Sequence, residues 1–187
     1  MNLPNQLTSL RLMLSVVLFC FIATGYYFTS FWLFVVAAGT DWLDGYYARK
    51  YGQVTTLGRI LDPFADKVII CGTFIFLIGV KQITDLRWGL QAWMVVVIVG
   101  RELLVTALRS FIEERGSDFS AKMSGKLKMV LQCVAAGACL FCLSYEPLSR
   151  SPDWCQWVLF LSVWAAVVLT VYSGVVYIFV ATRLLRK

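Results

Sequence analysis

Apolar residues in this chain run in long blocks, and the breaks between the blocks carry the charges. No residue from Leu12 to Thr40 is charged, a stretch longer than the roughly 20 residues that cross a bilayer as a helix. Gly25, inside Thr24 to Ser30, divides it, which predicts a first span at about 10–28 and a second at about 31–50. Ahead of them, Met1 to Arg11 is short and polar. Pro4 suits a helix start and Leu3, Leu7 and Leu10 suit lipid, so this stretch predicts a surface helix in the membrane interface. After a turn at Lys50 to Gln53, a third span is expected from about Leu57 to Val80, followed by a polar connection from Lys81 to Arg87. A fourth begins near Trp88 and keeps its helical pattern past Arg101 and Glu102 to Phe111. Glu113 to Gly125 is polar, a fifth span covers roughly Lys126 to Tyr145, and Glu146 to Asp153, with Pro147 and Pro152, is a loop. Trp154 to Thr182 carries no charge and is the sixth. The pattern therefore predicts an all-α integral membrane protein. It would have six transmembrane helices and a short N-terminal interfacial helix, with residues 1–187 forming one domain.

Composition supports this class and narrows the chemistry. Hydrophobic residues make up 59% and charged ones 15%, which excludes an ordinary soluble domain. There is no histidine, so neither a histidine metal site nor a histidine base exists. The net charge of +6 fits an anionic membrane surface and phosphate-bearing substrates better than nucleic acid, which is not expected as a partner. Of the 17 Lys and Arg, all but Lys81, Arg87 and Arg150 fall at the termini, in 48–67 or in 101–128. Basic residues favour the cytoplasmic side, so both termini and these regions are expected there. No cleavage site follows Arg11, and the first apolar run reads as a retained span. Cys139 and Cys142 form a CxxC inside an apolar run and read as small buried hydrophobes rather than a redox or zinc pair.

The chemistry concentrates between the second and third spans. Asp41 and Asp44 are three apart, and Asp62 and Asp66 are four apart, so each pair lies on one face of its helix. A short reversal would bring the pairs together. Ionisable groups at membrane depth default to a functional role. Four like charges repel strongly there and require cations, and oxygen ligands in that number suit Mg²⁺, Mn²⁺ or Ca²⁺. Gly45 and Gly58 permit close approach of a ligand or a backbone, and Arg49 adds a planar donor fork suited to phosphate.

Asp41-x2-Asp44-Gly45-x2-Ala48-Arg49-x8-Gly58-x3-Asp62-x3-Asp66 resembles, without a gap or substitution, the signature of the CDP-alcohol phosphotransferases. The resemblance implies that family's transmembrane fold and the transfer of a substituted phosphate from a CDP-linked donor to an alcohol, with release of CMP. It implies two divalent ions, Mg²⁺ or Mn²⁺, on Asp41, Asp44, Asp62 and Asp66. Asp66 would also take the hydroxyl proton as the catalytic base. Asp44, Gly45, Ala48, Arg49 and Gly58 would form the CDP-binding surface, with Arg49 on the diphosphate.

A second basic set comprises Arg101, Arg109, Lys126 and Lys128. It reads as a pocket for a second phosphate; an intramembrane ion pair between Arg101 and Glu102 is the alternative. The run Arg101-Glu102 to Arg109, then Gly125-Lys126-x-Lys128 and Gln132, with Pro4-Asn5-x-Leu7-Thr8-x2-Arg11, is similar to the bacterial phosphatidylglycerophosphate synthase branch. That similarity implies CDP-diacylglycerol as donor and glycerol 3-phosphate as acceptor, in a bacterial inner membrane, with the active site facing the cytoplasm. The lipid bilayer is then a partner, and a homodimer is left open. Within the family the alternative acceptors are phosphatidylglycerol, as in a cardiolipin synthase, and an inositol phosphate. Outside it, a cation transporter would use the four Asp but would not need Gly45, Arg49 or Gly58.

Overall fold

A computed structural model describes residues 3–51, 56–86, 88–114, 123–145 and 151–185; residues 3–8, 41–51, 56–63, 113–114, 123–127 and 183–185 are placed by their backbone alone. The described chain is helical: α1 Leu3–Ala23, α2 Tyr27–Tyr51, α3 Thr56–Leu77, α4 Lys81–Thr84, α5 Ala92–Glu114, α6 Met123–Leu143 and α7 Asp153–Leu185.

The boundary between α1 and α2 falls where the glycine signal places it. Gly25 takes φ +84°, the left-handed region open to glycine. Tyr26 N–H bonds back to the Phe21 carbonyl and Gly25 N–H to the Ile22 carbonyl, which satisfies the carbonyls left open at the helix end. One expectation needs correcting. The interfacial helix is not a separate element, because α1 runs unbroken from Leu3. Pro4 sits in its first turn, where no intrahelical donor is needed, and no glycine or proline interrupts the chain before Gly25. The polar connection after α3 contains the single-turn helix α4.

Packing is organised around α3, which touches α1, α2, α5 and α6, while α6 packs on α2 and α7, and α7 on α5. Leu18, Ile22, Phe74, Leu77, Ile98 and Leu140 are among the large side chains fully buried between these helices. The outward faces are apolar as well: Met13, Trp32, Val96, Leu103 and Phe179 are more than half exposed. A surface of this kind suits a lipid environment. Asp153–Thr182 is long and apolar enough to cross a membrane, and Ser9–Ala23, Tyr27–Thr40 and Lys128–Leu143 are shorter apolar helices.

Gly72 of α3 makes room for the Phe19 ring of α1. A Cβ there would stand 2.1 Å from Cζ of Phe19, whose ring stacks on Phe76 with centroids 4.9 Å apart. Gly72→Ala must push that ring out of its stack. It should lower the thermal midpoint of the detergent-solubilised protein, at a cost of about 1–3 kcal/mol. An unchanged midpoint would mean that Phe19 swings aside freely.

Cys142, at the end of α6, forms a disulfide with Cys155, at the start of α7, their Cα atoms 6.1 Å apart. This corrects half of the reading of the CxxC. Cys139 is a buried free thiol as expected, whereas Cys142 is cross-linked. The α6–α7 reversal brings together two residues 13 apart in the chain.

Candidate active site

Four residues, 52–55, separate α2 from α3, and the two helices touch. Asp41 lies ten residues before the end of α2 and Asp66 ten after the start of α3; Asp44 and Asp62 lie seven before and six after. At 1.5 Å per residue the acids therefore occupy two matched levels of a hairpin, about 15 Å and about 10 Å from its turn. The side chains of Asp41, Asp44, Gly45, Ala48, Arg49, Gly58 and Asp62 lie outside the described residues, as does that of Lys126; their helices are described and their contacts are not. Asp66, Arg101, Arg109 and Lys128 are described in full.

Asp66 is held from a direction the motif does not contain. Arg11 of α1, with a side chain 2% exposed, donates from Nη1 to Asp66 Oδ1 at 2.5 Å. A buried guanidinium needs a carboxylate partner, and Asp66 supplies it. Asp66 also borders two small cavities. One, of about 30 Å³, lies beside Arg11, Ala37 and Met129. The other, of about 150 Å³, runs from Asp66 and Lys67 on α3 to Glu102 on α5 and to Lys128 and Gln132 on α6.

Glu102 is the node of the far wall. Its Oε1 accepts from Lys128 Nζ, from Arg101 Nη1 at 3.3 Å and from Gln132 Nε2 at 3.3 Å. Gln132 also donates to Thr170 Oγ1 at 3.1 Å, Arg101 donates to Ser173 Oγ, and the guanidinium carbon of Arg101 lies 5.3 Å from the centre of the Tyr177 ring. All of these residues are buried. Charged groups in such a place persist only when paired and hydrogen-bonded, and this network supplies both. Arg101 and Lys128, expected in one pocket, do meet, on a shared carboxylate. Arg109 lies two turns further along α5, with its Nε buried and without a hydrogen-bond partner among the described residues.

Sequence reasoning missed Arg11 as part of the site. Its only signals were a charge at the head of an apolar run and its place in the N-terminal similarity. It also missed the polar stripe of α7: Thr170, Ser173 and Tyr177 recur at helical spacing, but α7 reads as a charge-free span.

The donor set fits a hard divalent cation. It offers carboxylate oxygens at two levels of a hairpin and no imidazole. Among the described residues no group of three or more ligands is assembled, three of the four Asp side chains lying outside them.

A helical bundle with acids on one hairpin and a buried basic cluster beside them has the parts of a phosphoryl-group transferase in a membrane. The CDP-alcohol phosphatidyltransferase family model matches residues 1–172, and the chain belongs to that family. The family is membrane-associated and generally dependent on a divalent metal. The chain is similar to three proteins each named CDP-diacylglycerol–glycerol-3-phosphate 3-phosphatidyltransferase. That of Bacillus subtilis (strain 168) is 42% identical over 144 residues, 76% of this chain and 67% of that protein. That of Shigella flexneri is 32% identical over 186 residues, 95% of this chain and 93% of that protein. That of Haemophilus influenzae is 29% identical over 192 residues, 96% and 93% of the two chains.

Proposed function

We propose that this chain transfers the phosphatidyl group of CDP-diacylglycerol to sn-glycerol 3-phosphate, giving phosphatidylglycerophosphate and CMP. One observation supports the acceptor most directly: the cavity bordered by Asp66 is bordered on its other side by Lys128 and the Glu102 node. A small phosphate ester can set its hydroxyl toward Asp66 and its phosphate toward the basic wall. A neutral alcohol would leave that wall unused. The names of the relatives point to the same pair of substrates.

In this reading the acceptor hydroxyl attacks the lipid-side phosphorus and forms a new P–O bond. The P–O bond to CMP breaks, and its electron pair leaves on the CMP phosphate. Asp66 receives the hydroxyl proton, and Arg11 holds Oδ1 so that the carboxylate keeps one orientation. Arg49 binds the diphosphate, and Gly45, Ala48 and Gly58 leave room for the cytidine beside Asp44. Asp41, Asp44, Asp62 and Asp66 would hold two Mg²⁺ or Mn²⁺ ions, which supply charge neutralisation at the diphosphate when bound. Arg101, Arg109, Lys126 and Lys128 serve the acceptor phosphate. We further place α1, α2, α3, α5, α6 and α7 across a bacterial inner membrane as one domain, with both termini and the site on the cytoplasmic side, as the distribution of Lys and Arg favours. A homodimer is compatible with this arrangement.

Purified protein given CDP-diacylglycerol and radiolabelled glycerol 3-phosphate should place label in lipid and release CMP in equal amount. Label entering lipid only from phosphatidylglycerol or from an inositol phosphate would move the chain to another branch of the family.

A further inference from the structure

Three donors from two helices converge on one oxygen, Glu102 Oε1: Lys128 Nζ, Arg101 Nη1 and Gln132 Nε2. That is the environment an oxyanion of a phosphate requires. The carboxylate that occupies it is itself buried, 9% exposed, and it faces a cavity of about 150 Å³. Glu102 is thus placed where a ligand's phosphate would bind, carrying the same sign of charge.

We propose that Glu102 is a specificity-determining residue for the acceptor, an internal counter-anion that holds Lys128 and Arg101 in position and is displaced from Lys128 by the acceptor phosphate. The inference rests on the acceptor reading above and adds a selection rule to it. A phosphate dianion competes with a carboxylate for Lys128, because it brings more charge and more acceptor oxygens. A neutral alcohol does not, so it meets a closed ion pair. Glu102 also prevents Arg101 and Lys128 from repelling each other in the empty site, and it weakens binding enough for a phosphate-bearing product to leave.

Two substitutions separate the charge of Glu102 from its positioning. Glu102→Gln keeps an oxygen for the three donors and removes the competing charge. The KM for glycerol 3-phosphate should fall about tenfold, the scale set by losing one like charge beside an anion. Inorganic phosphate should become a correspondingly stronger competitive inhibitor, and the KM for CDP-diacylglycerol should stay unchanged. Glu102→Ala removes the oxygen as well, and the acceptor KM should rise. Glu102→Gln combined with Lys128→Gln leaves no unpaired charge on this pair. It should fold even where the single variant does not, and it should raise the acceptor KM at least tenfold above the native value. An acceptor KM that is unchanged or higher in Glu102→Gln would overturn the proposal and leave Glu102 a structural ion-pair partner. A native KM in the double variant would overturn it equally. Calorimetric titration of inorganic phosphate into the protein without substrates keeps the two readings distinguishable. Tighter phosphate binding by Glu102→Gln, in a protein that transfers nothing to glycerol 3-phosphate, would support the counter-anion and remove the acceptor assignment.

Discussion

Asp66→Asn should reduce turnover by about a hundred- to ten-thousandfold, the range lost with a positioned proton acceptor, while the protein continues to bind CDP-diacylglycerol. Asparagine is nearly the same shape, and its amide oxygen can still accept the Arg11 bond at Oδ1. The α1–α3 hydrogen bond is kept while the buried Arg11 guanidinium loses its charge partner, so the thermal midpoint should fall and turnover is compared at a temperature where the variant is still folded. The variant loses the charge and the ability to take a proton. Turnover measured across a range of Mg²⁺ distinguishes the two roles proposed for this residue. If excess Mg²⁺ restores most of the rate, Asp66 serves chiefly as a ligand. If the rate stays low with the donor bound, the proton is the missing step. Near-native activity at ordinary Mg²⁺ would remove Asp66 from both roles.

Removal of divalent cations should abolish activity altogether, with recovery on adding Mg²⁺ or Mn²⁺. Asp41 and Asp66 stand at one level of the α2–α3 hairpin and Asp44 and Asp62 at another, so four Asp positions share a short length of two touching helices. Without cations they repel one another, and the bare diphosphate would add further negative charge. The same treatment should lower the thermal midpoint, since a ligand that binds only the folded state stabilises it. Full activity in excess chelator would sink the two-ion reading of the motif.

The elements that were legible in the sequence were those set by local chemistry. The α1–α2 break follows from one glycine whose left-handed conformation closes a helix, and α6 ends where its apolar block meets Ser144, whereas α3 ends at Leu77, three residues before its apolar block does. The placement of the acids on two adjacent helices was legible for the same reason, because i,i+3 and i,i+4 spacings have only one meaning on a helix. What spacing cannot convey is which distant helix supplies a partner. Arg11 and Asp66 are 55 residues apart, and their meeting depends on how α1 packs against α3. Arg101 and Glu102 are neighbours in sequence, yet Lys128 reaches Glu102 from α6, 26 residues away. The Arg101–Glu102 ion pair, weighed as the alternative to a phosphate pocket, is present, and Lys128 of the expected pocket joins it. The pairing of Cys142 with Cys155 was illegible in principle, since cysteine spacing does not fix connectivity.

That disulfide has a consequence for the cell. Cytosolic glutathione and thioredoxin keep thiols reduced, so a lasting cross-link marks the part of a protein that meets an oxidising compartment. Lys128 and Cys142 are fourteen residues apart on α6, about 21 Å at 1.5 Å per residue, most of the thickness of a hydrocarbon layer. In the orientation proposed above, the Cys142–Cys155 end of α6 and α7 is the outside end of the bundle, and the acids lie toward the other. In that orientation a lipid product made at the acids would begin its life in the inner leaflet, and any use of it on the far side would require a separate step that turns it over.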